Sequence, residues 1–252
     1  PLRKIPRFPY CFSFHSCAKI ILYAAFISGQ LIKEEIPLKE TILEAVKKHK
    51  IIAILRGVEP EKLEDTVRAL YDGGIRLLEI TFDQRSPSRL QETADAIRTA
   101  LRCCGDDLLV GAGTVLTVEE VQAAAEAGAS FILAPNTNAE VIRAAVDRGL
   151  GAIPGAMTPT EIEYAYRCGA SVVKLFPSDN LGPAYIRAVL APLSHIPILA
   201  VGGVDQSNIR DFLAAGAVGA GIGSNIVNKK MIAAGNFGAI TELARGYLAA
   251  LD

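Results

Sequence analysis

From Ile51 onward, eight short apolar runs of strand length alternate with segments of helical period, so the sequence predicts an α/β fold, a single (β/α)8 TIM barrel. Two further observations support it. The runs are apolar on both faces, as parallel strands covered on both sides are. They also begin about 24 residues apart, which leaves room for one helix and two short loops. The closed unit takes about 215 residues, short for this fold but within its range. The runner-up is an open doubly wound sheet. Against it, Gly111-Ala112-Gly113-Thr114 lacks the third glycine of a dinucleotide fingerprint, and the glycine-rich Gly219–Ser224 comes late in the chain.

The strands are expected at Ile51–Leu55, Arg76–Ile80, Leu108–Ala112, Ser130–Leu133, Gly151–Ile153, Ser171–Leu175, Ile198–Val201 and Val218–Ile222. Thr117 opens one helix with Glu119 and Glu120 in its first turn, and Thr158-Pro159-Thr160-Glu161 opens another. Asp205-Gln206-Ser207-Asn208 starts a third. Helices end at Gly128, Gly169 and Gly216, where glycine tolerates a left-handed cap. The barrel domain spans 36–252. Its leading helix is read from Glu40, Ile42, Leu43 and Val46, and Lys47–Lys50 form a solvated end that suits the C-terminal dipole.

Residues 1–35 differ from the rest. Arg3, Lys4 and Arg7 precede an apolar stretch, Ala18–Gly29, too short to span a bilayer as a helix. Three readings stand open: a flexible or non-native extension, a signal or interfacial anchor, and an added structural element.

Composition narrows the function classes. Half the residues are hydrophobic and 21% are charged, which excludes disordered, collagen-like and coiled-coil classes. A net charge of −1 gives no electrostatic footprint for nucleic acid, so any anion site must be built locally. Five cysteines without framework spacing fit a reducing compartment, here the cytoplasm. Three scattered histidines and the lack of a Cys/His cluster argue against a metal site.

A barrel places its chemistry at the C-terminal ends of its strands. Those ends hold Arg56, Glu79, Gly113-Thr114, Pro135-Asn136, Pro154-Gly155, Lys174 with Phe176-Pro177, Gly202-Gly203 and Gly223-Ser224. Lys174 stands out, because no other lysine lies between Lys62 and Lys229 and an apolar strand carries a lysine only with a purpose or a partner. Desolvation lowers an amine's pKa and leaves it free to attack a ketone. A lysine that pairs with an acid or reaches solvent is the plainer reading. Glu79 would point to the same mouth, as proton shuttle or as ion-pair partner. Gly202-Gly203 and Gly223-Ser224 follow the last two strands, where barrels often bind phosphate through backbone N–H groups, although glycine pairs also serve as plain turns. Phe176 and Pro135 would supply apolar walls, or be ordinary packing.

At these residues the sequence resembles the 2-keto-3-deoxy-6-phosphogluconate (KDPG) and 4-hydroxy-2-oxoglutarate (KHG) aldolases. The resemblance runs from about Lys50 to Leu251. It rests on Ala-Ile-Leu-Arg-Gly at 53–57, Leu-Glu-Ile-Thr at 78–81, Val-Gly-Ala-Gly-Thr-Val at 110–115 and Ala-Pro-Asn at 134–136. It continues through Ile-Pro-Gly-Ala-Met-Thr-Pro-Thr-Glu at 153–161, Val-Lys-Leu-Phe-Pro at 173–177, Val-Gly-Gly-Val at 201–204 and Gly-Ile-Gly-Ser at 221–224. It implies a class I aldolase with no metal or other cofactor, a phosphorylated keto-acid substrate and a homotrimeric assembly. By resemblance, Lys174 forms the Schiff base and Glu79 is the acid/base. Thr114 holds the pyruvate carboxylate, Pro135 and Phe176 line the pocket, and Arg56 with Gly202, Gly203, Gly223 and Ser224 serves the phosphate end.

Two positions depart from the family pattern. Many members carry arginine four residues beyond the strand-two glutamate; here Asp83 stands there, with Arg85 two residues on. Either Arg85 takes over the carboxylate or Thr114 and backbone N–H groups do. Val201 replaces the threonine of many gluconate-type members, which removes a hydroxyl near the sugar hydroxyls and keeps the galactonate epimer open. A phosphate-binding isomerase or decarboxylase, or a non-catalytic sugar-phosphate binder, would need the same loops but no imine.

Overall fold

The computed structural model describes residues 41–251. Residues 1–35, with the Ala18–Gly29 stretch, lie outside the described residues. A helix, Ile42–His49, leads in; Thr41 caps it, and Glu44 returns a carboxylate to the Thr41 backbone N–H. Nine parallel strand segments follow: β1 (Ile51–Leu55), β2 (Leu77–Thr81), β3 (Leu109–Gly113), β4 (Phe131–Leu133), β5 (Gly151–Ile153), β6 (Gly155–Ala156), β7 (Val173–Leu175), β8 (Ile198–Val201) and β9 (Gly219–Ile222). Their order runs in sequence around the sheet, and β1 pairs with both β2 and β9. A doubly wound sheet would reverse direction part-way, so that alternative is out.

The expected eight strands become nine segments at one place. β5 pairs with β4 and β6 pairs with β7, with only Pro154 between them. Pro154 has no N–H to donate, yet its carbonyl accepts from Lys174 N at 2.9 Å. The two segments are halves of one interrupted strand, and the ring keeps eight positions. A second correction concerns the loop after β8, where the helix begins at Ile209 and not at Asp205. Asp205–Asn208 is a turn: the Asp205 carboxylate accepts from Ser207 N, and Asn208 Oδ1 accepts from Asp205 N. The other punctuation holds. Thr117 and Thr158 each form a capping box, with Glu120 and Glu161, and Gly128, Gly169 and Gly216 have positive φ.

Strand alternation sorts the side chains into two cores. Ile52, Ile54, Leu77, Phe131, Leu133, Ile153, Val172, Leu199 and Val201 face inward and pack as one cluster. Leu78, Ile80, Val110, Ile132, Val173 and Leu175 face outward against the helices. The leading helix adds Ile42, Ala45 and Val46 to the inner cluster. A Cβ on Gly151 would strike Ile42, and one on Gly219 would strike the Lys50 carbonyl, so both glycines let this helix approach the strand starts. Higher up, Gly111 leaves space for the Phe131 ring. The N-terminal end of the barrel is therefore plugged. Truncating Phe131 to alanine would cost about 3–5 kcal/mol.

Candidate active site

Glu79 follows Leu77 on β2 by two residues, and Lys174 follows inward-facing Val172 by two. Both therefore project into the barrel above the apolar plug. Both are buried, with 1% and 5% exposure. Burial lowers the Lys174 pKa; the Glu79 carboxylate opposes that, and the Arg56 charge adds to it. Burial raises the Glu79 pKa, against the pull of Lys174 and Arg56. Glu79 Oε2 is buried with no hydrogen-bond partner among the described residues. An unsatisfied carboxyl oxygen beside a desolvated amine is costly to maintain, and such groups cluster at reactive sites.

The Phe176 ring roofs the amine, with Lys174 Nζ 4.7 Å from its centroid, and at 37% exposure it forms the lip of the mouth. Ser178 fixes this segment to its neighbour. Its hydroxyl donates to the Leu175 carbonyl at 2.8 Å and accepts from Val201 N at 3.0 Å, while its own N–H donates to the Val201 carbonyl at 2.8 Å.

A cavity of about 210 Å³ opens here. It brings together Arg56, Lys174, Phe176, Gly202, Gly203, Gly223 and Ser224, and Val201 and Asn225 also line it. Arg56 is exposed, and Gly202 and Gly203 both have positive φ, which bends the chain away from β8. Gly223 has open space where a Cβ would lie. Glu79, Thr114 and Pro135 are not in that lining. Glu79 lies deeper, beside Gly113, and Pro135 stacks its backbone against Gly155.

Thr114 sits in the left-handed region, φ 57°, where a β-branched residue is strained. Sequence reasoning missed what holds it there. Gln84 Nε2 donates to the Thr114 carbonyl and to Glu120 Oε1, each at 2.9 Å. Glu120 is fully buried; it also accepts from Arg89 Nε at 2.8 Å and from Leu116 N at 2.6 Å. The Thr117–Glu120 capping box was a readable signal, but only for a helix start. Arg85 does not reach the cavity: its side chain is 91% exposed and pairs with Asp83 at 3.2 Å.

Residues 42–243 match the family model for KDPG and KHG aldolase. A probable 2-dehydro-3-deoxy-6-phosphogalactonate aldolase of Rhizobium meliloti is 39% identical over 203 residues, 80% of this chain and 91% of that protein. A 2-dehydro-3-deoxy-phosphogluconate aldolase of Treponema pallidum is 39% identical over 209 residues, 81% of this chain and 95% of that one. The KDPG aldolase of Legionella pneumophila, solved with pyruvate captured as a covalent carbinolamine, superposes with a TM-score of 0.73 at 26% identity, covering 83% of this chain and 98% of its own. These likenesses define the class, a barrel lyase of the aldolase type. Within that class, the chain belongs to the KDPG and KHG aldolase family.

Proposed function

We propose that the protein is a class I aldolase that cleaves KDPG to pyruvate and glyceraldehyde 3-phosphate, and also cleaves 4-hydroxy-2-oxoglutarate to pyruvate and glyoxylate. The observation that carries this reading is the buried, inward-facing pair Lys174 and Glu79 beside a polar cavity. Lys174, with its pKa lowered by burial, attacks the C2 ketone and, with loss of water, forms an iminium. Glu79 takes the proton of the C4 hydroxyl, C3–C4 breaks, and the bonding pair flows into the iminium as an enamine. The aldehyde leaves, C3 is reprotonated, and hydrolysis frees pyruvate and the lysine. No metal or other cofactor enters the scheme. The pyruvate carbinolamine of the Legionella relative supports the first step.

In this reading Thr114 and neighbouring N–H groups hold the substrate carboxylate, because Arg85 is turned away on Asp83. Arg56, Gly202, Gly203, Gly223 and Ser224 take the phosphate, and Phe176 and Pro135 form the walls. The enzyme works as a homotrimer in the cytoplasm. One observation favours a second substrate, the galactonate epimer: Val201 lines the cavity with no hydroxyl to offer the sugar.

Borohydride reduction with pyruvate, followed by intact mass, tests the mechanism. A stable adduct on Lys174, absent from Lys174→Ala, is the expected result, with cleavage abolished in that variant. An unmodified protein, or turnover retained by Lys174→Ala, would reject the imine and favour a phosphate-binding isomerase or decarboxylase. The ratio of kcat/KM on the two phosphorylated epimers assigns the substrate.

A further inference from the structure

Cys103 and Cys104 end the helix Arg89–Cys103 and open the loop that enters β3 at its N-terminal edge. Both thiols therefore lie at the end of the barrel opposite the Lys174 mouth. Both are free and half-buried, and their Sγ atoms are 3.7 Å apart. Cys103 Sγ also approaches the Ala100 carbonyl at 3.3 Å, which holds it over the last helical turn.

We propose that this pair is a chelating site for trivalent arsenic, either an arsenite or an organoarsenical oxide. Two sulfurs bound to one centre at about 2.3 Å each, with bond angles between square and tetrahedral, stand about 3.3–3.8 Å apart. The observed separation falls in that range, so chelation requires almost no movement. No third His, Cys, Asp or Glu completes a metal-holding group among the described residues. That donor set suits a soft centre content with two thiolates better than a four-coordinate zinc.

The reaction balances without an oxidant. With an organoarsenical oxide, both S–H protons pass to the As=O oxygen, two As–S bonds form and one water leaves. With arsenite, As(OH)3, two hydroxyls leave as two waters. Arsenic stays trivalent in both. Burial and the adjacent Cys103 push the Cys104 thiol up to about 12, so little thiolate is present near neutrality.

Phenylarsine oxide, added to the full chain in excess 2-mercaptoethanol, tests the site. Intact mass should rise by one reagent less one water. Tryptic mapping should place the adduct on the 103–143 peptide, which holds no other cysteine. Cys103→Ser and Cys104→Ser should each weaken retention at least about a hundredfold, because the second bond loses its intramolecular advantage. In the unsubstituted chain, 2,3-dimercaptopropanol should strip the adduct. An unmodified 103–143 peptide, loss of the adduct to the monothiol, or full retention in either variant would overturn the site. Mass is read without turnover, so the aldolase reading stands or falls separately.

Discussion

The Glu79 carboxyl group occupies the space where a side chain on Gly113 would begin, and β2 and β3 place the two residues on adjacent strands. The glycine is the slot in which the acid lies. Gly113→Ala should expel the carboxyl from its register, lower kcat by about a hundredfold or more and cost about 1–3 kcal/mol from overpacking. Ordinary turnover with a normal Tm would show that the acid does not need this slot.

Glu79→Gln should trade activity for stability. The folded pKa of Glu79 is raised, so between its unfolded value of 4.5 and that folded value the native state binds more protons, and stability falls as pH rises. The amide removes this dependence. Its advantage should grow above pH 4.5 with a slope of at most about 1.4 kcal/mol per pH unit, and vanish below it. Cleavage should slow about 10²–10⁴-fold with ligand affinity preserved. Denaturant melts at pH 4 and pH 8 check the first part. Equal stability differences at both would refute the burial argument.

Glu120 anchors Thr114 at one remove, through Gln84. Glu120→Ala strands the Arg89 guanidinium and the Leu116 N–H and should destabilise the fold by about 2–4 kcal/mol. Gln84→Ala is the milder probe. It should raise KM for pyruvate-type substrates several-fold while leaving kcat near normal, and a change confined to kcat would deny the link to carboxylate binding.

Gly223→Ala separates backbone strain from ligand approach. Its φ is ordinary and its surroundings are open, so Tm should stay put. If the backbone N–H there meets phosphate, KM should rise at least tenfold for the phosphorylated substrate and little for 4-hydroxy-2-oxoglutarate. Equal effects on both would remove Gly223 from the phosphate end.

Arg85→Ala should leave KM within about twofold, because the guanidinium is engaged with Asp83 in solvent, where ion pairs contribute little. A tenfold rise would restore Arg85 as the carboxylate clamp.

The barrel was readable because each of its units repeats local rules: an apolar run, a capped helix start, a glycine stop. Lys174 and Glu79 were readable as charges near the C-terminal ends of apolar strands. What the sequence hid depends on contacts between units. Glu120 announced a helix cap, but nothing local indicates that its carboxylate also receives Gln84 and Arg89 from the preceding loop and helix. Arg85 stands two residues beyond the family's arginine position, and its guanidinium pairs with Asp83, two residues away, outside the cavity lining. Asp205–Asn208 carried helix-start residues, but the same side chains close a turn equally well.

Among the described residues, packing of Ile42, Ala45 and Val46 under the strands closes the lower end of the barrel and leaves the cavity open at the Phe176 rim. On the proposed reaction, the substrate enters and both cleavage fragments leave past the Phe176 rim. In the proposed scheme the free aldehyde departs first, while the three-carbon remnant stays bound to Lys174 Nζ above the apolar plug. Run backwards, the proposed scheme has the keto acid dock on Lys174 before its aldehyde partner.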